Sequence, residues 1–306
     1  MPPPFYFSII TPCLNRSEFI VEAIESVLAQ NYPLMEHIIV DGGSTDGTLD
    51  ILSRFPHLHV ISEPDHGMYD AINKGIRAAR GNIIGFLNSD DCYPPDTFIS
   101  VEQCLRYSPD SEAVIGGALT FEDDPHVGRK TLNRIGPYEA NDLFNRIMQG
   151  RGIMNAWFFK RELFNRVGFF TTEYRIAADS EMILRIGISG CSVKALQQVV
   201  YHYRHHPDSL TINSNVDRIV EPLSENVHIC ESFLNNSTIT PPIRKNIRRW
   251  HTGDTLHLAY FYLKEKRFRD LLLIFKRGWS YDIKWPAVFA VRMCRRILAK
   301  FFSRIF

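Results

Sequence analysis

Four carboxylates stand where a chain alternating between strand and helix would place chemistry. They are Asp41 in "VDGGSTDGT", Asp90 and Asp91 in "GFLNSDD", and Asp179 in "YRIAADSEMILRI". Asp90 and Asp91 are adjacent and follow an apolar run suited to a sheet interior, so their charges repel unless something positive is present. Two hard oxygen donors close together suit Mg²⁺ or Mn²⁺, ions that complete their shells with water and substrate phosphates. A solvated turn ahead of Pro94-Pro95 is the competing reading. Asp41 closes a strand, where a carboxylate can accept from a base N–H or a ribose hydroxyl. The glycine-rich run after it lacks G-x-G-x-x-G spacing and a Walker lysine, so neither phosphate loop is present. That run otherwise reads as a turn, with Ser44, Thr45 or Asp46 capping the next helix and Asp41 not needed for it.

Asp179 falls at a helix start, where a carboxylate serves the helix dipole. The alternative is a general base that deprotonates a hydroxyl; the residues alone favour the dipole. The histidines of "YHYRHHPDSLT" lack carboxylate partners at ligand spacing, although one that follows a strand could reach the edge holding Asp90. In "DHGMYDAINKG", Gly67 permits a close approach, while Asp70 and Asn73 read as surface positions on a helix.

The elements that must position these groups alternate cleanly over the first hundred residues. "FYFSIIT", "EHIIVD", "LHVISE" and "NIIGFL" are short apolar, β-prone runs. Between them lie helical segments at 17–29, 46–55 and 68–80. The first places Phe19, Ile20, Ala23, Ile24, Val27 and Leu28 on one face, with Ser17 as its N-cap. Gly81 closes the third. This rhythm implies an α/β chain with a mostly parallel, doubly wound sheet and helices on both faces. Ligands bind outside the carboxyl ends of such strands, where Thr11-Pro12, Asp41-Gly42-Gly43, Glu63-Pro64-Asp65 and Asn88-Ser89-Asp90-Asp91 converge. Further along, 112–122 and 128–133 read as strands, 139–148 and 161–167 as short helices, 177–190 as a helix ended by Gly190, and 192–204 as a strand. Helices are expected at 215–235, 242–264, 267–277 and 286–304. An α/β body over 1–212 and a helical region over 213–306 follow.

The 306 residues, 45% of them hydrophobic, are enough for a sizeable core. The formal charge of +1 is unevenly spread. Residues 241–306 hold sixteen Lys/Arg against four Asp/Glu, a balance of +12, which leaves −11 for residues 1–240. An acidic body with a basic tail points to an anionic partner for the tail. The last segment, "WPAVFAVRMCRRILAKFFSRIF", sets Val288, Val291, Leu298, Phe302 and Ile305 on one side and Arg292, Arg295, Arg296, Lys300 and Arg304 on the other. Such a helix suits an anionic membrane surface better than nucleic acid, since no base-stacking platform or groove-reading motif accompanies it. Six scattered cysteines without C-x-x-C spacing read as reduced thiols of a cytosolic protein. The N-terminus lacks the pattern of a signal peptide, and no run of eighteen apolar residues spans a membrane.

The ordered set "SIITPCLNR", "VDGGSTDGT", "GMYDAINKGIRAARGNIIGFLNSDD", "FFKRELFNRVGFF", "RIAADSEMILRI" and "YRHHPDSLT" resembles family 2 glycosyltransferases of the GT-A fold. The likeness is to bacterial members that build exopolysaccharide, lipopolysaccharide or glycolipid, and it covers about residues 7–212. It implies an inverting transfer from a nucleoside-diphosphate sugar, most commonly a UDP-sugar, to a glycan or lipid-linked hydroxyl. With the basic tail helix, the enzyme is expected in the cytoplasm, peripheral on the inner face of the cell membrane. On this likeness Thr11, Pro12 and Asn15 lie beside the nucleotide, and Asp41 bonds its base. Asp90 ligates a divalent metal, Mn²⁺ or Mg²⁺, under the diphosphate. Asp179 is the catalytic base, against the dipole reading above. His206 contacts metal or diphosphate, with His205 as the adjacent fallback. Gly67, Asp70 and Lys74 belong to the segment that closes over donor and nucleotide. Asn88 and Ser89 join the donor site, the Asn88 amide offering itself to a ribose hydroxyl, and Asp91 supports Asp90 from behind. Two departures stand out: Asn88 occupies the first acidic place of the D-x-D motif, and Met154-Asn155 stands where many relatives have His-Gln. A sugar nucleotidyltransferase would need an N-terminal glycine-rich loop that "FSIITPCLNR" lacks. A membrane scaffold that binds nucleotide sugar without chemistry is the remaining rival.

Overall fold

A computed structural model describes the backbone of residues 4–124, 126–136, 153–207 and 216–302. The short helix expected at 139–148 and the Ser-Leu-Thr of "HHPDSLT" lie outside these residues. The chain divides into two compact units, Met1–Ile212 and Asn213–Phe306.

In the first unit, β1 (Phe7–Cys13), β2 (Met35–Asp41), β3 (Leu58–Ser62) and β4 (Ile83–Phe86) lie in the order β3-β2-β1-β4, all parallel. Between them come α1 (Ile20–Leu28), α2 (Thr48–Leu52) and α3 (Met68–Ala78). Register sets Cys13 beside Asp41, Asp41 beside Ser62 and Ile10 beside Phe86, so the carboxyl ends form one edge. Successive strand residues point to opposite faces. Ile9 enters a core with Ala23 and Val27 of α1. Phe86 turns the other way, where its ring meets Phe170 at 5.5 Å and Phe170 stacks on Tyr69 of α3. Helices therefore cover both faces.

The sheet continues through β7 (Trp157–Lys160), which runs antiparallel to both β4 and β5 (Ala113–Asp124). β6 (Gly128–Ile135) pairs antiparallel with β5, and β8 (Val193–Arg204) runs parallel to β5 on its other side. The sheet is mostly parallel around an antiparallel insertion. Sequence reading misses β7 and also α4 (Thr97–Tyr107), whose Phe98, Val101 and Leu105 are buried in the main core. Phe98 stacks on Phe7 at 4.8 Å; burying a side chain of that size stabilises by about 1.5–3 kcal/mol.

Several local expectations are corrected. Ser17 is not an N-cap: α1 begins at Ile20, and the Ser17 amide donates to Asp46 Oδ2 at 3.0 Å. Leu28 is exposed, at the end of the helix. Gly81 does not end α3 in a left-handed conformation; a Cβ there would stand 2.4 Å from the Tyr6 carbonyl, so its requirement is close packing. Helix α2 is shorter than its sequence pattern. The helices at α5 (Leu163–Val167) and α6 (Ala178–Ile188), and Gly190 at φ +70°, agree with expectation.

The second unit contains α7 (Val216–Leu234), α8 (Pro241–Lys264), α9 (Phe268–Tyr281) and α10 (Trp285–Phe302). Its core gathers Val227, Leu256, Leu258, Ala259, Tyr262, Ile274 and Trp285. The Trp285 indole N–H donates to Thr255 Oγ1 at 2.8 Å, giving the buried ring the partner it needs. The side chains of Arg295, Arg296, Leu298, Lys300, Phe302, Arg304 and Ile305, named above for the tail's two sides, lie outside the described residues. Among the described residues no helix is long and apolar enough to cross a membrane.

Candidate active site

Two loops meet at the ends of β1 and β2. Asp41 is fully buried and accepts from the Gly43 and Ser44 amides and from Ser62 Oγ, the last at 2.8 Å. The turn that looked independent of Asp41 is thus built on it, and the carboxylate ties β2 to β3. None of Ser44, Thr45 and Asp46 is the N-cap of α2, which is Gly47 at φ +93°; Asp46 sits one residue earlier and its Oδ1 accepts from the Thr48 amide at 3.0 Å. Asn15, at φ +52°, fastens the β1 loop across the gap. Its Oδ1 accepts from the Thr45 amide at 2.8 Å, and its own amide donates to Ser44 Oγ at 2.7 Å. Pro12 is buried beside Val40. Thr11 turns inward, its Oγ1 2.9 Å from His37 Nε2, so only its backbone borders the edge. Burial, reinforced by His57, pushes the His37 imidazole down to about 3, which keeps it neutral.

The acidic pair follows β4. Asp91 is buried and takes three donors: Tyr201 Oη at 2.6 Å, the Arg204 amide at 2.7 Å and Asn88 Nδ2 at 3.0 Å. Burial and the neighbouring Asp90 charge push its carboxyl well above the usual range, while those bonds oppose the shift. Asp90 points elsewhere: its Oδ2 lies 3.0 Å from His206 Nε2. The His206 ring also packs on Phe19, with centroids 4.7 Å apart. His205 takes another direction, its Nδ1 3.8 Å from Glu122. Of the two histidines, His206 is the one beside Asp90. Ser89 is buried between these groups in sequence.

The Asn88 side chain, expected to offer its amide to a ribose hydroxyl, donates one Nδ2 hydrogen to Asp91. Sequence reading also missed Tyr201 and Arg204. The Tyr201 hydroxyl donates to Asp91 and accepts from the Asn88 amide at 3.2 Å and from Asn155 Nδ2 at 3.0 Å. Asn155, noted only as a departure from the usual His-Gln, is therefore part of the acidic pair's support. Arg204 Nε donates to the Asp90 carbonyl at 2.8 Å, while its guanidinium pairs with Glu22 and Asp123. Cys92 and His202 exchange backbone bonds at 2.9 and 3.1 Å, zipping the chain after Asp91 onto β8.

Asp90 and His206 present one carboxylate oxygen and one imidazole nitrogen, a donor set that suits a borderline-hard ion such as Mn²⁺. Among the described residues no cluster of three His, Cys, Asp or Glu surrounds them. The pair fits a metal that takes its other ligands from diphosphate and water.

Asp179 opens α6, half-buried, with the Ser180 amide 2.6 Å from its Oδ1. Burial pushes its carboxyl up to about 6, against bonds from Ser180 and the Tyr69 hydroxyl. The segment before it is held by α3. Tyr69 Oη donates to the Ile176 carbonyl at 2.6 Å. Asn73, expected at the surface, is buried, donating to the Phe170 carbonyl at 2.8 Å and accepting from the Phe170 amide at 3.0 Å. Beside Phe170, the Phe169 carbonyl accepts from Arg185 of α6 at 2.7 Å, and Arg185 also bonds Glu181 at 2.7 Å. Gly67 is the residue before α3, and its φ of +112° is open to glycine and costly for other residues. Asp70 Oδ2 accepts from the His66 amide at 3.2 Å and lies 3.5 Å from Lys74 Nζ. Lys74 is further occupied by Glu63 and the Pro64 carbonyl, both at 2.9 Å.

Residues 8–168 match the family profile described as Glycosyl transferase family 2. A PGL/p-HBAD biosynthesis glycosyltransferase of Mycobacterium tuberculosis is 34% identical over 186 residues, covering 58% of this chain and 68% of that protein. EpsJ of Bacillus subtilis, described as an uncharacterized glycosyltransferase, is 30% identical over 223 residues, 67% of this chain and 62% of the relative. Among solved structures, S. aureus TarS 1–349 in complex with UDP-GlcNAc superposes with a TM-score of 0.68 at 16% identity, over 90% of this chain and 81% of that one. The mannosyltransferase PcManGT from Pyrobaculum calidifontis, in complex with GDP-Man and Mn²⁺, gives 0.63 at 19% identity, over 97% and 81%. These likenesses establish a shared α/β fold, that of GT-A enzymes.

Proposed function

This chain belongs to glycosyl transferase family 2 and is a glycosyltransferase, and from that premise we propose an inverting transfer from a nucleoside-diphosphate sugar, a UDP-sugar first, to a hydroxyl of a glycan or lipid-linked acceptor. The observation that carries the reading is Asp179, a half-buried carboxyl raised to about 6 and held against α3 through Tyr69. A base of that strength is ionised at neutral pH and close enough in pKa to take a hydroxyl proton during attack. The acceptor O–H loses its proton to Asp179 as its oxygen bonds the anomeric carbon from one side. The bond to the diphosphate breaks on the other, and its electron pair leaves with the nucleotide.

In this reading the Asn15–Thr45 and Asp41–Ser44 bonds shape the nucleotide cradle at the ends of β1 and β2. Gly67, Asp70 and Lys74 border the donor, with Asn88 and Ser89 between cradle and acidic pair. Asp90 and His206 hold a divalent metal, which when bound neutralises charge building on the departing diphosphate. Asp91 fixes the loop that presents Asp90. The UDP-GlcNAc and GDP-Man complexes of the structural neighbours support a nucleotide-sugar donor, and the Mn²⁺ of one supports metal use. The basic sequence of α10 supports attachment to an anionic membrane, the setting for cell-surface polysaccharide or glycolipid synthesis.

Thermal-shift screening of UDP-, GDP- and dTDP-sugars with Mn²⁺, followed by assay of released nucleotide, tests the reading. One donor should raise the melting temperature only with metal and release its nucleotide. Binding without any release leaves a nucleotide-sugar scaffold in its place.

A further inference from the structure

Helix α9 carries two apolar stripes, and only one is used inside its unit. Ile274 is buried in the core, with Leu271 and Phe275 packed beside it. Phe268, Leu272 and Trp279 are instead 64%, 72% and 55% exposed, and Ile283, in the turn beyond, is 83% exposed. At about 100° per residue the three helical positions fall within about 40° of one another, a single solvent-facing stripe. Scattered exposed leucines need no explanation, whereas a contiguous apolar stripe marks a contact surface.

Charge identifies the occupant. Between Lys264 and Arg292 the chain holds eight Lys/Arg against three Asp/Glu. Arg277 is engaged by Glu231 and Arg267 by Asp270. Lys266, Arg269, Lys276, Lys284 and Arg292 are exposed. Arg269 and Lys276 lie about 80–100° around the helix from Phe268, along one border of the stripe. A second copy docking isologously would set these cations against their own images, which disfavours a dimer. An anionic bilayer satisfies both features: the apolar stripe enters the acyl boundary, the cations meet phosphates, and tryptophan favours that interface.

We propose that α9 and the turn after it form a docking face for an anionic phospholipid surface, with Phe268, Leu272, Trp279 and Ile283 inserted and Arg269, Lys276 and Lys284 on the headgroups. The face gives the lipid-linked acceptor proposed above a place to be met; it rests on that reading for its purpose and not for its test.

Tryptophan fluorescence of the full chain reads the face directly. Of the four tryptophans, Trp157 and Trp285 are 0% exposed and Trp250 6%, so Trp279 dominates any response to lipid. Vesicles containing phosphatidylglycerol should shift the emission to the blue, pure phosphatidylcholine vesicles much less, and salt should reverse the shift. Trp279→Phe should still co-sediment with anionic vesicles and lose the shift. Leu272→Ser with Ile283→Ser should weaken partition at least about tenfold, since two exposed side chains no longer bury apolar area. Three results would each overturn the proposal: no vesicle binding, co-sedimentation without a Trp279 shift, or a dimer that Leu272→Ser dissolves. Nucleotide release, measured in the same variants, should stay at the wild-type level and shows the fold intact. Its absence in the wild type counts against the transferase reading and leaves the vesicle result standing.

Discussion

Tyr201 of β8 donates its hydroxyl to Asp91 Oδ2 at 2.6 Å, joining residues 110 positions apart. The same oxygen atom of Tyr201 accepts from Asn88 and Asn155, so three segments depend on one hydroxyl. Tyr201→Phe removes the bond to Asp91 and strands two donors in a buried site. It should cost about 1–3 kcal/mol of stability by urea unfolding. Dependence on metal should change little, because Asp90 retains His206. An unchanged unfolding midpoint would show that the hub contributes nothing.

Asp179→Asn should leave nucleotide-sugar affinity unchanged by calorimetry and lower turnover by ~10²–10⁴-fold, the usual worth of a positioned base. The wild-type carboxyl works only when ionised. Its elevation to about 6 therefore puts the rising limb of the kcat/KM profile near that pH, with a plateau above it. Residual activity of the variant should lack this limb. A fully active variant would remove Asp179 from the chemistry.

Asp90→Ala should abolish the gain in nucleotide affinity that Mn²⁺ provides, and chelation should have the same effect on the wild type. His206→Ala loses one ligand and should raise the Mn²⁺ concentration needed, while keeping the response. The order of metal dependence is then Asp90 above His206, with Asp91 revealed by stability rather than by metal. Titrating nucleotide binding against Mn²⁺ separates the three.

Much of this was legible in the sequence because it rests on local pattern. Each apolar run at β1 to β4 ends in polar residues, and a parallel order puts those ends on one edge, which located Asp41 and Asp90 before any contact was known. What stayed hidden depends on partners distant in the chain. Asp91 is only three residues from Asn88, yet the bond between them is set by Tyr201, 110 positions from Asp91, which turns that carboxylate inward. Asn73 reads as polar surface until Phe170 folds over it. β7 has only four residues and no alternation, whereas α4, with Phe98, Val101 and Leu105 at helical spacing, was legible and was overlooked.

Asn73 and Phe170 exchange two hydrogen bonds in a buried setting, fixing the segment that leads to Asp179. Asn73→Leu keeps a comparable volume and leaves the Phe170 amide and carbonyl unpaired. At about 1–3 kcal/mol for each buried orphan, the loss should be on the order of 2–6 kcal/mol. Asn73→Asp can still accept from the amide and should recover part of it. Equal stability of all three proteins would show the segment held by other contacts.

The C-terminal unit holds two half-buried carboxyls shifted in opposite directions. Burial alone would raise Glu231, but bonds from His251 Nε2 at 3.1 Å and from Arg277 at 2.9 and 2.6 Å hold it down at about 2. A depressed acid stabilises above its ordinary 4.5 and loses that contribution as pH falls toward 2. Asp254 is raised by burial to about 6, against a bond from the Trp250 indole. A raised acid stabilises below its ordinary 3.8 and loses that contribution as pH climbs through 6. Stability from these two groups should therefore peak at about pH 4–5 and fall on both sides. Glu231→Gln should flatten the acidic slope and lower stability at neutral pH, because Arg277 loses its charged partner. Asp254→Asn should flatten the slope between pH 4 and 6, since an amide still accepts from Trp250 and carries no charge to bury. Urea unfolding of the full chain and both variants across this range reads each slope. A slope unmoved by its own substitution assigns that pH dependence to other groups.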